Sequence, residues 1–218
     1  MKVVGAAVDE PSERDWLEVL ATVLLAFAAV ATAWSSYQAN RWNGEQAKAA
    51  AQVNATRIDA ARAQGLAQQQ TQIDVATYIA WIDATASEDD DLAAFYAARF
   101  RPEFRPAFDA WLATDPLTTP GAPATPFAMD EYALQARTDA ERLDARAESL
   151  AAVARRNIQR SANYVLAVVM FAVALFFAGM STKLDGTGSR TAMLVIGVLV
   201  FLGTAAWIAT FPVSVSVS

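Results

Sequence analysis

The sequence predicts an all-α integral membrane protein with three transmembrane helices and a long antiparallel helical stalk between spans one and two. Three observations carry that prediction. The 218 residues are 55% hydrophobic with a mean hydropathy of +0.22, and the apolar content gathers in residues 16–37, 163–181 and 191–211. Each stretch has about the 20 residues that cross about 30 Å of hydrocarbon as a helix. Trp16, Trp34, Tyr164 and Trp207 stand near the edges of these stretches, as interfacial aromatics do. Finally, no proline interrupts residues 13–86, so the first span can run on as helix beyond the membrane. Two competing readings are disfavoured. Buried helices of a soluble core do not account for three such stretches, and a cleaved leader ending at Ala31-Thr32-Ala33 would begin with an acidic rather than a basic region.

Residues 1–15 form an acidic tail, in which Ser12 and Asp15 have the spacing of a capping box ahead of Trp16. Residues 38–86 continue span one as the outgoing stalk helix, with Gly44 and Gly65 as its weak points at about 1 kcal/mol each relative to alanine. Residues 87–126 form the stalk tip. There Ser87 and Asp90 suggest a second capping box, with Glu88, Asp89 and Asp90 in the first turn of a short helix, where carboxylates favour the helix dipole. A weak divalent-cation site is the alternative reading of those acids, although it would need a turn that converges several oxygens.

Residues 99–111, RFRPEFRPAFDAW, repeat Phe-Arg-Pro twice. One continuous helix would have to absorb Pro102 and Pro106 at about 3 kcal/mol apiece. The stretch is therefore expected to end one helix near Phe100 and to start another with Pro102 or Pro106 in its first turn, leaving Arg101 and Arg105 extended ahead of the prolines. Phe100, Phe104 and Phe108 then wedge the corner, with Arg101 and Arg105 pairing to Glu103 and Asp109. The alternative places Phe100, Arg101, Phe104, Arg105 and Phe108 on a docking surface for a partner. The segment TDPLTTPGAPATP that follows reads as an extended loop.

Residues 127–162 read as the returning stalk helix, with Thr125 as N-cap, Pro126 at the first helical position and Asp130 and Glu131 in the first turn. Ala136, Ala140, Leu143, Ala147, Leu150 and Ala154 follow the 4-3 spacing of a coiled-coil seam. A seam made mostly of alanine buries little area per turn, so the stalk would gain from packing against copies of itself. Residues 163–181 and 191–211 form a hairpin of spans two and three, joined by a short loop at 182–190. Gly179, Gly197 and Gly203 suggest close packing there. The alternating tail, residues 212–218, reads as a short disordered end or as an edge strand.

In span one, Thr22, Ala26, Ala29, Ala33 and Ser36 form a stripe of small and hydroxylated side chains. Such a stripe lets membrane helices approach closely; the sharper reading is that it lines a water-filled axis in a ring of subunits. Apart from Glu18, no Asp, Glu, Lys or Arg lies inside the three spans, against the pattern of ion-coupled transporters. The chain has no His and no Cys, which removes imidazole and thiol chemistry and the usual zinc, haem and iron-sulfur ligands. No catalytic residue, cofactor or metal site is expected. A net charge of −6 supplies no basic footprint for nucleic acid.

The stretches AWSSYQANRW (33–42), RFRPEFRPAFDAWLATDPL (99–117) and NYVLAVVMFAVALFFAGMSTKL (163–184) resemble a widespread group of uncharacterised bacterial inner-membrane proteins with one span, a helical insert and a closing two-span hairpin. That resemblance implies a bacterial inner membrane and no activity. Basic residues divide nearly evenly between the two faces, Lys2, Arg14, Lys183 and Arg190 against Arg41, Lys48, Arg155, Arg156 and Arg160 on the stalk face; because long segments translocate largely regardless of charge, the short ones decide and favour a stalk on the non-cytoplasmic side. The expected function is that of a non-enzymatic accessory or scaffold protein, self-associating in the lipid bilayer and able to contact a membrane-protein partner through the stalk. The alternative is an oligomeric ion or solute channel lined by span one.

Overall fold

A computed structural model describes residues 13–116 and 118–214. Every regular element in it is helical: α1 (Glu13–Ala86), α2 (Asp90–Ala97), α3 (Arg105–Leu112), a 3-10 turn (Pro126–Ala128), α4 (Gln135–Ser181) and α5 (Thr187–Ala209). Three of these helices, α1, α4 and α5, are long and apolar enough to cross a membrane. Ser12 and the end of the tail beyond Ser214, on which a capping box and a disordered or strand-like end were expected, lie outside the described residues.

α1 runs through Gly44 and Gly65 without a break. It ends where Glu88 N–H bonds to Thr85 O (3.1 Å) and Asp89 N–H to Ala84 O (3.0 Å), the paired bonds of a Schellman motif. Glu88 occupies the left-handed position at φ 56°, where glycine is usual. That arrangement corrects the expected cap of α2. Ser87 is used up in the end of α1, and Asp89 caps α2 by accepting from Leu92 N–H at 3.0 Å, leaving Asp90 and Asp91 in the first turn.

The chain divides into two compact units, one of residues 1–49 with 152–218 and one of residues 50–151. In the first, each long helix buries one narrow strip: Ala21, Leu24, Ala28, Ser35 and Trp42 on α1; Tyr164, Ala167, Phe171, Ala174 and Ala178 on α4; Arg190, Leu194, Gly197 and Thr204 on α5. The strips advance by three, four or seven residues, one or two helical turns at a time, and are rich in small side chains that permit close approach. Gly197 marks the tightest point. A Cβ there would meet Ala174 O at 3.3 Å, Ala178 N at 3.4 Å and Leu24 Cδ2 at 3.4 Å, whereas one at Gly179 or Gly203 would meet nothing within 4 Å. Of the three glycines expected to permit close packing, only Gly197 does so within the unit.

Polar contacts close both ends of this unit. At one end, Arg190 Nη2 pairs with Glu18 Oε1 at 3.0 Å and its Nε donates to Ser181 O at 3.1 Å, joining all three helices. α5 therefore begins at Thr187, inside the loop expected at 182–190, and brings Arg190 in as a buried residue. At the other end, Ser161 Oγ donates to Ala39 O (2.9 Å), Tyr164 OH to Pro212 O (3.4 Å) and Ser214 N–H to Gln38 Oε1 (3.1 Å). Trp16 and Trp34 are exposed, as interfacial anchors are, but Tyr164 is buried and serves packing instead.

In the second unit, α1 buries Val53, Ala60, Ala67, Asp74 and Trp81, each seven residues after the one before. α4 buries Ala136, Ala140 and Ala147, with Leu143 and Leu150 half-buried, so the inward face of α4 is the one the 4-3 spacing marks. The returning helix nevertheless starts at Gln135, later than the spacing from Thr125 suggested. Thr125 makes no side-chain cap, and Asp130 and Glu131 lie ahead of the helix. The reason is packing: Phe127 and Tyr132 join the aromatic core, and Leu134 packs on Ala67 and Ala136.

Candidate functional site

The 99–111 stretch is a corner between α2 and α3. Pro106 stands in the first turn of α3, and Pro102 in the turn leading to it. Arg105, expected to be extended ahead of Pro106, is instead the first residue of α3. Its backbone N–H bonds to Arg101 O at 3.1 Å, and its Nη2 donates to Ala97 O at 3.0 Å, finishing α2 rather than pairing with Asp109.

Phe100, Phe104 and Phe108 are buried at 5, 0 and 4% exposure. They pack with Tyr78, Trp81 and Trp111, mostly edge to face: Trp81–Phe108 at 4.8 Å, Phe100–Phe108 at 4.7 Å, Tyr78–Trp111 at 5.6 Å. Phe127 and Tyr132 close the far side through Phe104. The Pro-rich loop is fastened by Trp111 Nε1, which donates to Pro123 O at 2.7 Å. Three of the five residues considered for partner docking are thus core residues of the chain itself. The apolar side chains left outward near this corner are Leu92, Phe95 and Leu112. Arg99 lies over the Phe95 ring at 3.4 Å.

Beneath the corner lies a polar cluster. Asp74 of α1 is fully buried. Its Oδ2 accepts from Arg101 Nη1 at 2.8 Å and from Tyr132 OH at 3.1 Å, while Thr71 Oγ1 stands 3.3 Å from the Tyr132 hydroxyl. Arg101 also pairs with Glu103. Asp74 Oδ1 and Gln70 Oε1, one helical turn apart, are buried without a hydrogen-bond partner. Burial pushes the Asp74 carboxyl above its ordinary 3.8, against the opposing pull of the Arg101 guanidinium and the Tyr132 hydroxyl. Burial also raises Tyr132. The cluster ties α1, the corner and the segment before α4 at one point.

Sequence reasoning found Arg101 and its Glu103 partner and missed Asp74. The available signal was a lone carboxylate seven residues from both Ala67 and Trp81, at a position whose neighbours along the strip are buried. No nucleophile and base are joined in this cluster, and no group of three or more metal-ligating residues occurs among the described residues. Beside the corner, a shallow cleft of about 260 Å³ is lined by Ala97, Ala98, Phe100, Arg105, Phe108 and Asp109.

On α1, Thr22, Ala26, Ala29, Ala33 and Ser36 all lie on the exposed face, opposite the strip that packs on α4 and α5. Thr22 turns its hydroxyl back to Glu18 O at 2.8 Å. No family model, curated protein or solved structure matches the chain.

Proposed function

We propose that the chain is a non-enzymatic multi-pass protein of the bacterial inner membrane, of the kind its quoted stretches resemble, acting as a self-associating accessory or scaffold. The observation that carries this reading is the division of labour between its units. One holds three membrane-length helices with small side chains left outward on α1. The other turns its polar chemistry inward to Asp74, Arg101 and Tyr132 and leaves Leu92, Phe95 and Leu112 outward. The absence of His and Cys supports a role without chemistry, and the short basic segments support a non-cytoplasmic side for residues 50–151.

The test is gentle extraction from native membranes, followed by mass determination and identification of every copurifying protein. A homo-oligomer, alone or with a stoichiometric membrane-protein partner, is expected; a bare monomer would contradict the scaffold reading. The outward position of Thr22, Ala26, Ala29, Ala33 and Ser36 favours one second reading, a channel in which several copies of α1 surround a lumen. Purified protein that gives no conductance in planar bilayers under varied voltage and tension would dismiss it.

A further inference from the structure

The polar cluster beneath the corner holds two buried acceptors and no donor left for them. Asp74 Oδ1 and Gln70 Oε1 are both without a hydrogen-bond partner, and they belong to side chains four residues apart on one face of α1. A carboxylate oxygen and an amide oxygen accept hydrogen bonds and donate none, so neither satisfies the other. The donors around them are committed elsewhere. Arg101 Nη1 and Tyr132 OH donate to Asp74 Oδ2, and Arg101 Nη2 serves Glu103. Thr71 Oγ1 donates to Ala67 O at 2.9 Å and Thr77 Oγ1 to Ile73 O at 3.0 Å. Charge is short in the same direction. The corner brings Arg101 and Glu103 to Asp74 and the segment before α4 brings the Tyr132 hydroxyl; among the described residues no second cation acts there. Two carboxyl groups therefore share one guanidinium.

We propose that Asp74 holds a proton on Oδ1 and donates it to Gln70 Oε1, which makes the corner a pH-sensitive latch, closed while Asp74 is protonated and loosened when it ionises. One proton answers both shortages. It joins the two unpartnered oxygens, leaves Oδ2 to accept from Arg101 and Tyr132, and leaves Glu103 as the only charged partner of Arg101. Burial, which pushes the Asp74 carboxyl above its ordinary 3.8, acts in the same sense. When the proton passes to solvent, a carboxylate remains buried with one oxygen unpartnered, and opening the corner is what returns it to water. The sign follows from linkage: the contribution of the proton is full below pH 3.8 and is lost as pH rises through the folded value. The turn that opens is held at Arg101 O, which accepts from Phe104 N–H at 3.0 Å and from Arg105 N–H at 3.1 Å.

The test is infrared spectroscopy of the purified full-length protein over a pH series, because a protonated carboxyl group absorbs apart from carboxylates. In the wild type one protonated carboxyl band is expected to persist as pH rises past the point where the exposed acids have ionised. It should be absent from Asp74→Asn, whose amide keeps a donor toward Gln70 and so preserves the fold. Gln70→Met, which removes the acceptor at a half-buried position and keeps the side-chain length, should shift the loss of the band to lower pH. The latch is read by hydrogen exchange at the backbone amides of Phe104, Arg105 and Phe108, as the ratio of wild type to Asp74→Asn at each pH. Wild type is expected to exchange faster relative to the variant as the band disappears. A spectrum without any band that Asp74→Asn removes overturns the proposal and assigns Oδ1 to a water or to the Gln70 amide turned to donate. A band whose loss is unmoved in Gln70→Met overturns the partner of the proton, and an exchange ratio that stays constant with pH overturns the latch.

Discussion

Asp74 decides how the corner is held. Removing Arg101 would leave a buried carboxylate with no cation, a change that costs about 3–5 kcal/mol. Arg101→Ala is therefore expected to lower the thermal stability of residues 50–151 far more than Asp74→Asn, which keeps an acceptor for Tyr132 and carries no charge. The pH dependence has a definite sign. Because burial raises Asp74 above 3.8 in the folded chain, its contribution to stability is fully present below pH 3.8 and is lost as pH rises through the folded value. The melting temperature of Asp74→Asn relative to wild type should accordingly rise from acid to neutral pH; a fall over that range would mean that the Arg101 pair outweighs burial. At this scale the sequence was legible in part. The two prolines announced a corner, and Phe100, Phe104 and Phe108 announced its wedge, but Asp74 lies 27 residues from Arg101, and no local pattern joins them.

At the scale of elements, helix spacing conveyed most of what can be read. The limits of α1 follow from the absence of proline and from turn chemistry at residues 87–89, and the inward face of α4 follows from the alanines at 136, 140 and 147. What spacing missed was set by tertiary packing: Gln135 begins α4 because Phe127 and Tyr132 are drawn into the aromatic core, and Thr187 begins α5 in a register that carries Arg190 to Glu18. Glycines separate the two kinds of position. Gly65 sits in open space on an unbroken helix, so Gly65→Ala should stabilise by about 1 kcal/mol in chemical or thermal unfolding; a loss of stability would show that this turn is not helical. Gly197 lies against the backbone of α4, so Gly197→Leu should force the helices apart at a cost of about 1–3 kcal/mol. Gly203→Leu, with nothing nearby, serves as its control in the same detergent melt.

At the scale of the whole molecule, α1 and α4 run through both units, one with three membrane-length helices and one built around an aromatic core. Composition alone made the three apolar helices legible, because each apolar run matches the thickness of hydrocarbon. The inward strips that hold those helices together were less so: span one is apolar on nearly every side, and its small-residue stripe at Thr22, Ala26, Ala29, Ala33 and Ser36 proved to be the outward one. The most direct test of the central claim is the sidedness of two single cysteines introduced into this cysteine-free chain, one at Gln68 and one at Asp185, probed with a membrane-impermeant maleimide in intact and in permeabilised cells. Position 68 is expected to be labelled in intact cells and position 185 only after permeabilisation. Labelling of both positions on the same side would contradict a membrane crossing between α1 and the α4–α5 connection.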